Sequence, residues 1–140
     1  MFILCEERVP EIPIPMGKDA ALIVEDDLNI RESLVELLEE EGFRAESCAN
    51  GREAMNRMRA GLRPNVILLD LVMPIMDGWD FRMEQLRDPD LKDIPVVLIT
   101  AAGFRAETLQ SQLKGVEFIR KPPRASDVIT AVERVLGRVK

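Results

Sequence analysis

Three short runs of apolar residues most constrain how this chain can fold. They span residues 20–24, 66–69 and 94–99, and each is followed directly by a polar residue. Each run is too short for a free-standing helix, and a strand that is apolar at every position must be covered on both faces. Because segments with helical periodicity separate the runs, we expect parallel strands in one sheet between two layers of helices.

The segments between these runs complete an alternating pattern of strands and helices. Asp27 and Ser126 are predicted N-caps, and Gly42 and Gly61 lie where glycine ends a helix. Since right-handed crossovers connect parallel strands, the pattern predicts a doubly wound α/β fold with five strands and five helices. The predicted helices span residues 28–41, 51–60, 77–87, 104–114 and 126–139, and the two other strands span residues 43–48 and 116–119.

The first 18 residues are predicted to be a separate, flexible extension. Pro10, Pro13 and Pro15 exclude a helix there and favour extended chain. The remaining residues, 19–140, are expected to form one domain, since 140 residues leave little room for a second one. No output domain is expected after the last predicted helix, so we expect the chain to act as a single-domain protein.

The composition excludes several classes of function. The chain has no histidine, which excludes histidine-ligated metals, Ser-His-Asp or Cys-His catalysis and a histidine phosphoryl relay within the chain. Its 19 Lys and Arg against 25 Asp and Glu give a net charge of −6, which argues against generic binding to nucleic acid or anionic lipid. The two cysteines form no disulfide pattern, and neither a membrane span nor a signal peptide is evident. A cytoplasmic location is therefore expected.

Polar residues stand at the carboxyl ends of the predicted strands, where wound sheets bind ligands. Several carboxylates at one edge repel each other, and Mg²⁺ with oxygen ligands would relieve that repulsion. A lysine and a hydroxyl beside the cation would complete a cradle for a phosphoryl group. Each residue alone has an ordinary explanation as a loop, cap or surface residue, so the signal is their joint placement. The residues are Glu25, Asp26, Asp27, Asp70, Thr100 and Lys121.

Four motifs in fixed order give the chain a recognisable pattern. They are residues 22–27 (LIVEDD), 68–78 (LLDLVMPIMDG), 97–101 (VLITA) and 118–122 (FIRKP). With these motifs the sequence resembles the receiver domains of two-component response regulators over about residues 19–138. The resemblance implies the flavodoxin-like topology of that family, a stand-alone receiver, and a phosphoprotein rather than an enzyme, although one that assists its own phosphorylation and dephosphorylation.

The resemblance also implies a phosphoacceptor and a magnesium site. Asp70 would take a phosphoryl group from a phosphohistidine on a partner. Asp26 and Asp70 would bind Mg²⁺ directly, with the backbone carbonyl of Val72 as a third ligand and Glu25 acting through water. Asp27 is interpreted as a loop residue or helix cap. The chain has no histidine, so the phosphoryl donor must be another molecule.

Other residues would bind the phosphoryl group and respond to it. By the same resemblance, Thr100 would hydrogen-bond the phosphoryl oxygens and Lys121 would pair with them. The peptide bond between Lys121 and Pro122 would be cis. Thr100 and Phe118 would form the switch. Phe118 lacks a hydroxyl that would hold it in solvent, so we expect its ring to be largely buried without phosphate; a plain core aromatic is the alternative.

The implied partners are a sensor histidine kinase or a histidine phosphotransfer protein, and a downstream protein target or phosphotransfer partner. Homodimer formation is left open. A haloacid-dehalogenase-type phosphotransferase would need a second aspartate where Val72 stands. A flavodoxin-like cofactor module would need a glycine-rich loop where residues 25–27 are acidic. The remaining alternative is an adaptor with a receiver fold that works without phosphorylation.

Overall fold

The computed structural model describes residues 19–101 and 116–138. These residues form five strands and four helices; the helix predicted over residues 104–114 and the extension predicted over residues 1–18 lie outside them. The strands are β1 (Ala20–Val24), β2 (Arg44–Cys48), β3 (Val66–Asp70), β4 (Val96–Thr100) and β5 (Val116–Arg120), and the helices are α1 (Leu28–Glu40), α2 (Gly51–Arg59), α3 (Gly78–Arg87) and α4 (Ala125–Val135).

The five strands form one sheet in the order β2-β1-β3-β4-β5. All four neighbouring pairs are parallel, so the predicted doubly wound sheet is confirmed. The chain moves from β1 outward to β2 and then returns to the other side of β1 to form β3. This reversal of strand order opens a crevice at the carboxyl ends of β1 and β3, which is where such sheets bind ligands.

The core consists of two apolar clusters, one on each face of the sheet. All five residues of β1, β3 and β4 are buried, as their continuous apolar runs predicted. Leu22, Leu69 and Leu98 belong to the cluster under α2 and α3, whereas Ile23 and Leu68 belong to the cluster under α1 and α4. Successive residues of a strand point to opposite faces, so each strand contributes to both clusters.

Two predicted helix caps have different outcomes. The Asp27 side chain accepts a hydrogen bond from the Ile30 backbone N–H at 3.0 Å, so the predicted N-cap of α1 is confirmed. The Ser126 cap is wrong, because α4 begins one residue earlier, at Ala125, with Arg124 at the cap position. Arg124 has the extended backbone of an N-cap, but its side chain has no acceptor atom. No side-chain hydrogen bond from the described residues caps α4.

The loop between β3 and α3 contains an unusual turn at Ile75. Ile75 has a φ of 71°, and the Met76 N–H donates to the Pro74 carbonyl at 2.7 Å, which together describe a γ-turn. A β-branched residue rarely adopts positive φ, because its Cβ crowds the backbone. The Ile75 side chain is 82% exposed, so little packing offsets this cost.

Replacing Ile75 by glycine is therefore expected to stabilise the protein. Relief of the crowded backbone outweighs the added flexibility of the unfolded chain, and we expect the free energy of unfolding to rise by about 1 kcal/mol. Urea denaturation measures the change. Ile75→Ala is the matched control, which keeps a Cβ and should gain less. A lower stability of the glycine variant would contradict this account.

Candidate functional site

The site lies in the crevice at the carboxyl ends of β1 and β3. Glu25 directly follows β1 and Asp70 is the last residue of β3; their exposed fractions are only 1% and 2%. Asp26 is exposed at the mouth of the crevice. One carboxylate oxygen from each of these three residues lies within 4.8 Å of the other two. The fold therefore brings together three acidic residues that the sequence placed at two strand ends.

Lys121 supplies the positive charge of the site. Its Nζ lies 3.0 Å from Asp70 Oδ2 and 3.2 Å from Glu25 Oε1. The residue follows β5 and is joined to Pro122 by a cis peptide bond. Burial acts to lower the pKa of Lys121, but the hydrogen bond and charge of Asp70, together with Glu25, outweigh it and raise the pKa above its ordinary value. Lys121 is therefore a fixed cation between two buried carboxylates.

Glu25 is held on several sides by the loop between β1 and α1. Its N–H donates to the Cys48 carbonyl at 3.1 Å, and its Oε2 accepts from the Asp27 N–H at 3.0 Å. Burial, assisted by the charge of Asp70, raises the pKa of Glu25 to about 7 against the opposing effects of the Asp27 N–H and Lys121. Glu25 thus changes its charge near neutral pH.

Asp70 is fixed by the loop that follows it. Its Oδ1 accepts from the Val72 N–H at 3.2 Å, while Oδ2 faces Lys121. Gly78, the first residue of α3, packs directly behind Asp70: a Cβ there would lie 2.5 Å from the Asp70 carbonyl oxygen and 2.8 Å from Leu71 Cα. Sequence reasoning included Gly78 in the motif of residues 68–78 but gave it no role of its own. The available signal was a glycine directly after a helix-capping aspartate, close to an acidic strand end.

The side chains of Thr100 and Phe118 have other partners than the acidic residues of the site. Thr100 ends β4, is buried, and donates its hydroxyl to the Ala101 carbonyl at 2.9 Å. The Lys121 N–H donates to the Thr100 carbonyl at 2.7 Å, which ties the two strand ends together. We expected the Phe118 ring to be largely buried; it is half-buried and packs against the cluster that contains Leu98.

The charges of the site fit a divalent cation. When ionised, Glu25, Asp26 and Asp70 contribute three negative charges, against one positive charge from Lys121. Within the described residues, the buried Oε1 of Glu25 accepts no hydrogen bond and has only the ion pair with Lys121, at 3.2 Å. Oxygen ligands from carboxylates suit Mg²⁺, which takes few protein ligands and keeps several waters. The Val72 N–H donates to Asp70 Oδ1 at 3.2 Å, so the backbone at Val72 lies next to the acidic residues.

A scan of protein families matches residues 21–133 to the response regulator receiver domain. The chain belongs to this family. Among curated proteins, it is 31% identical to Response regulator Rre1 of Synechocystis sp. over 119 residues, which are 84% of this chain and 51% of that protein. The chain spans about half the length of the curated relatives it matches.

Solved structures agree with this assignment. The signal receiver domain of a signal transduction histidine kinase from Syntrophus aciditrophicus has a TM-score of 0.75 and 37% identity, covering 87% of this chain and 92% of that chain. The receiver domain of sensor histidine kinase PA1611 from Pseudomonas aeruginosa PAO1 has a TM-score of 0.76 and 22% identity, covering 86% and 99%. The family match and these structures together describe the chain as a response regulator receiver domain. In the described part of the chain, no helix has the length and apolar character of a membrane span.

The raised pKa of Glu25 predicts a pH dependence of stability. Between its ordinary value of 4.5 and about 7, Glu25 keeps its proton in the folded state but loses it in the unfolded state. Its contribution is fully present below pH 4.5 and is lost as the pH rises through 7. Metal-free protein should therefore lose stability between about pH 5 and about pH 8, a range in which unperturbed carboxylates and lysines do not titrate.

Glu25→Gln is the control for this prediction, since its side chain is neutral throughout. Urea unfolding in the presence of a chelator should show a much flatter pH profile for the variant. The chain has no histidine, so the usual source of such a profile is absent. Equal pH profiles for the two proteins would show that another group is responsible.

Proposed function

We propose that Asp70 accepts a phosphoryl group from a phosphohistidine on a sensor histidine kinase or a histidine phosphotransfer protein. Phosphorylation then changes a surface that binds a downstream protein or phosphotransfer partner. The observation that carries this proposal is the buried Asp70 carboxylate, 3.0 Å from Lys121 Nζ and grouped with the carboxylates of Glu25 and Asp26. This arrangement matches the needs of phosphoryl transfer, which depends mainly on positioning and neutralised charge.

In the proposed step, an oxygen of the Asp70 carboxylate attacks the phosphorus atom of the donor. A phosphorus–oxygen bond forms and the phosphorus–nitrogen bond breaks; the donor's imidazole nitrogen keeps the electron pair of that bond and takes a proton from water. Lys121 keeps an anionic partner throughout, because the negative charge moves from the carboxylate to the phosphoryl oxygens. The Val72 N–H, 3.2 Å from Asp70 Oδ1, keeps the carboxylate from rotating freely.

Mg²⁺ would be held by Asp26, Asp70 and the Val72 carbonyl, with Glu25 acting through water. When bound, the cation supplies positive charge to the phosphoryl oxygens as they approach the acidic pocket. The PA1611 receiver domain has a magnesium ion coordinated in its active site cleft, which supports the same use of this cluster. Because burial raises the pKa of Glu25 to about 7, the loss of its proton near neutral pH would favour binding of the cation.

Thr100 and Phe118 would carry the response to phosphorylation. The Thr100 hydroxyl would exchange the Ala101 carbonyl for a phosphoryl oxygen and so move toward Asp70. Phe118 lies on β5 directly beside Leu98 of β4, two residues before the end of each strand. Its partly buried ring could then pack further into the space that Thr100 leaves. A cytoplasmic location follows from the proposed donors, since histidine kinases use ATP.

Intact-mass measurement after incubation with acetyl phosphate and Mg²⁺ tests the proposal. We expect the mass of one phosphoryl group to be added, to require Mg²⁺, and to be removed by hydroxylamine, which cleaves acyl phosphates. Sizing chromatography of the same samples tests for a homodimer. If the folded protein gains no adduct from acetyl phosphate or from a phosphorylated histidine phosphotransfer protein, the phosphorylation-independent adaptor is the better account.

A further inference from the structure

The loop between β1 and α1 is held by a side chain that the proposed reaction does not use. Arg31 lies in the first turn of α1, and its Nη1 donates to the backbone carbonyl of Glu25 at 2.8 Å. This carbonyl belongs to the peptide bond that leads into Asp26. The hydrogen bond therefore fixes the plane of the peptide from which Asp26 starts.

Asp26 depends on its backbone more than its neighbours do. In residues 19–101 and 116–138, no hydrogen bond holds the Asp26 carboxylate, and the side chain is exposed. Glu25 is fixed by Asp27 and Lys121, and the Asp27 carboxylate caps α1. The backbone is thus what places the Asp26 side chain at the site, and Arg31 holds the peptide that leads into Asp26.

Arg31 also connects this loop to the helix through its backbone. Its N–H donates to the Asp27 carbonyl at 2.9 Å, while its guanidinium reaches back to the Glu25 carbonyl at 2.8 Å. One residue of α1 therefore holds the loop on both sides of Asp26. A guanidinium has several N–H donors in one plane, which suits it to hold a backbone carbonyl.

We infer that Arg31 is a positioning residue for magnesium: it holds the backbone from which the Asp26 carboxylate reaches the cation. The inference rests on the proposed function, because it concerns the same metal site. Groups that orient a metal ligand from behind typically change metal affinity by about 10-fold to 100-fold when they are removed. The positive charge of Arg31 by itself would repel Mg²⁺, so its positioning effect must outweigh this repulsion.

The two effects of Arg31 predict opposite results for its removal: loss of positioning weakens Mg²⁺ binding, whereas loss of the positive charge alone would strengthen it. Calorimetric titration of the unphosphorylated full chain with Mg²⁺ measures binding without any reaction. We expect Arg31→Met to weaken Mg²⁺ binding by about tenfold, and Arg31→Lys, which keeps the charge and can donate one hydrogen bond, to recover part of the loss. Arg44→Met is the matched control: it removes the same charge from an exposed residue at the opposite end of the sheet and should bind as wild type does.

Two further measurements separate positioning from a loss of structure. Circular dichroism confirms the folded state of each variant, and if Arg31→Met does not fold, Arg31→Gln, two bonds shorter than arginine, replaces it. In acetyl phosphate reactions, Arg31→Met should need more Mg²⁺ for half-maximal rate but reach the wild-type rate at saturation. Unchanged or tighter Mg²⁺ binding by the folded variant would overturn the inference while leaving the proposed function intact. Failure of the wild type to bind Mg²⁺ would overturn both the inference and the proposed metal site.

Discussion

Asp70→Asn is expected to gain no phosphoryl group from acetyl phosphate under conditions that label the wild type completely. The amide of asparagine is a poor nucleophile, and the carboxylate of Asp70 is the acidic group closest to Lys121 Nζ, at 3.0 Å. Asparagine has nearly the same shape as aspartate, and Lys121 keeps Glu25 as an anionic partner at 3.2 Å. The variant should therefore fold, so that the loss of labelling reports chemistry.

Asp77→Asn provides the matched control on the same loop. Asp77 caps α3 by accepting from the Asp80 N–H at 2.9 Å, and asparagine caps helices about as well as aspartate. This control should be labelled to the wild-type extent. Full labelling of Asp70→Asn at another carboxylate would refute the assignment of the acceptor, and peptide mapping of the labelled protein would identify the residue.

Gly78→Ala is expected to lower the free energy of unfolding by about 3 kcal/mol, because its Cβ meets backbone atoms that cannot move independently. The contacts are the Asp70 carbonyl oxygen at 2.5 Å and Leu71 Cα at 2.8 Å. Relief requires a shift of α3 away from β3 or a shift of the end of β3 itself. Because Asp70 ends that strand, phosphorylation by acetyl phosphate should slow even where the variant remains folded.

Gly42→Ala separates this clash from the general cost of replacing glycine. Gly42 has a φ of 95° and nothing within 4 Å of an added Cβ, so its cost is conformational, at about 1 kcal/mol. Urea denaturation of the two variants should therefore differ by about 2 kcal/mol. Gly42→Ala should be labelled by acetyl phosphate to the same extent as the wild type. Equal losses of stability would show that the contact behind Asp70 is not tight in solution.

The central sheet could be predicted because its signal is local. Strands β1, β3 and β4 are apolar at nearly every position, and such strands require cover on both faces. Boundaries were less predictable, as Ser126 shows. A serine ahead of an apolar helical pattern is a sound local signal for an N-cap, but the extended backbone at Arg124 lets α4 begin one residue earlier.

Some features of the site could likewise be predicted from the sequence, and others could not. The sequence alone identified acidic residues at the ends of apolar runs and a Lys-Pro pair after the last strand, because an abrupt change from apolar to polar is visible without coordinates. The sequence could not determine that Lys121 contacts Asp70, 51 residues earlier, and Glu25, 96 residues earlier. Nor could it determine the pKa of Glu25, the contact behind Asp70 or the bond from Arg31. These contacts and the pKa depend on which distant residues lie in one crevice and exclude water from it. The strand order and the packing of the helices determine which residues those are.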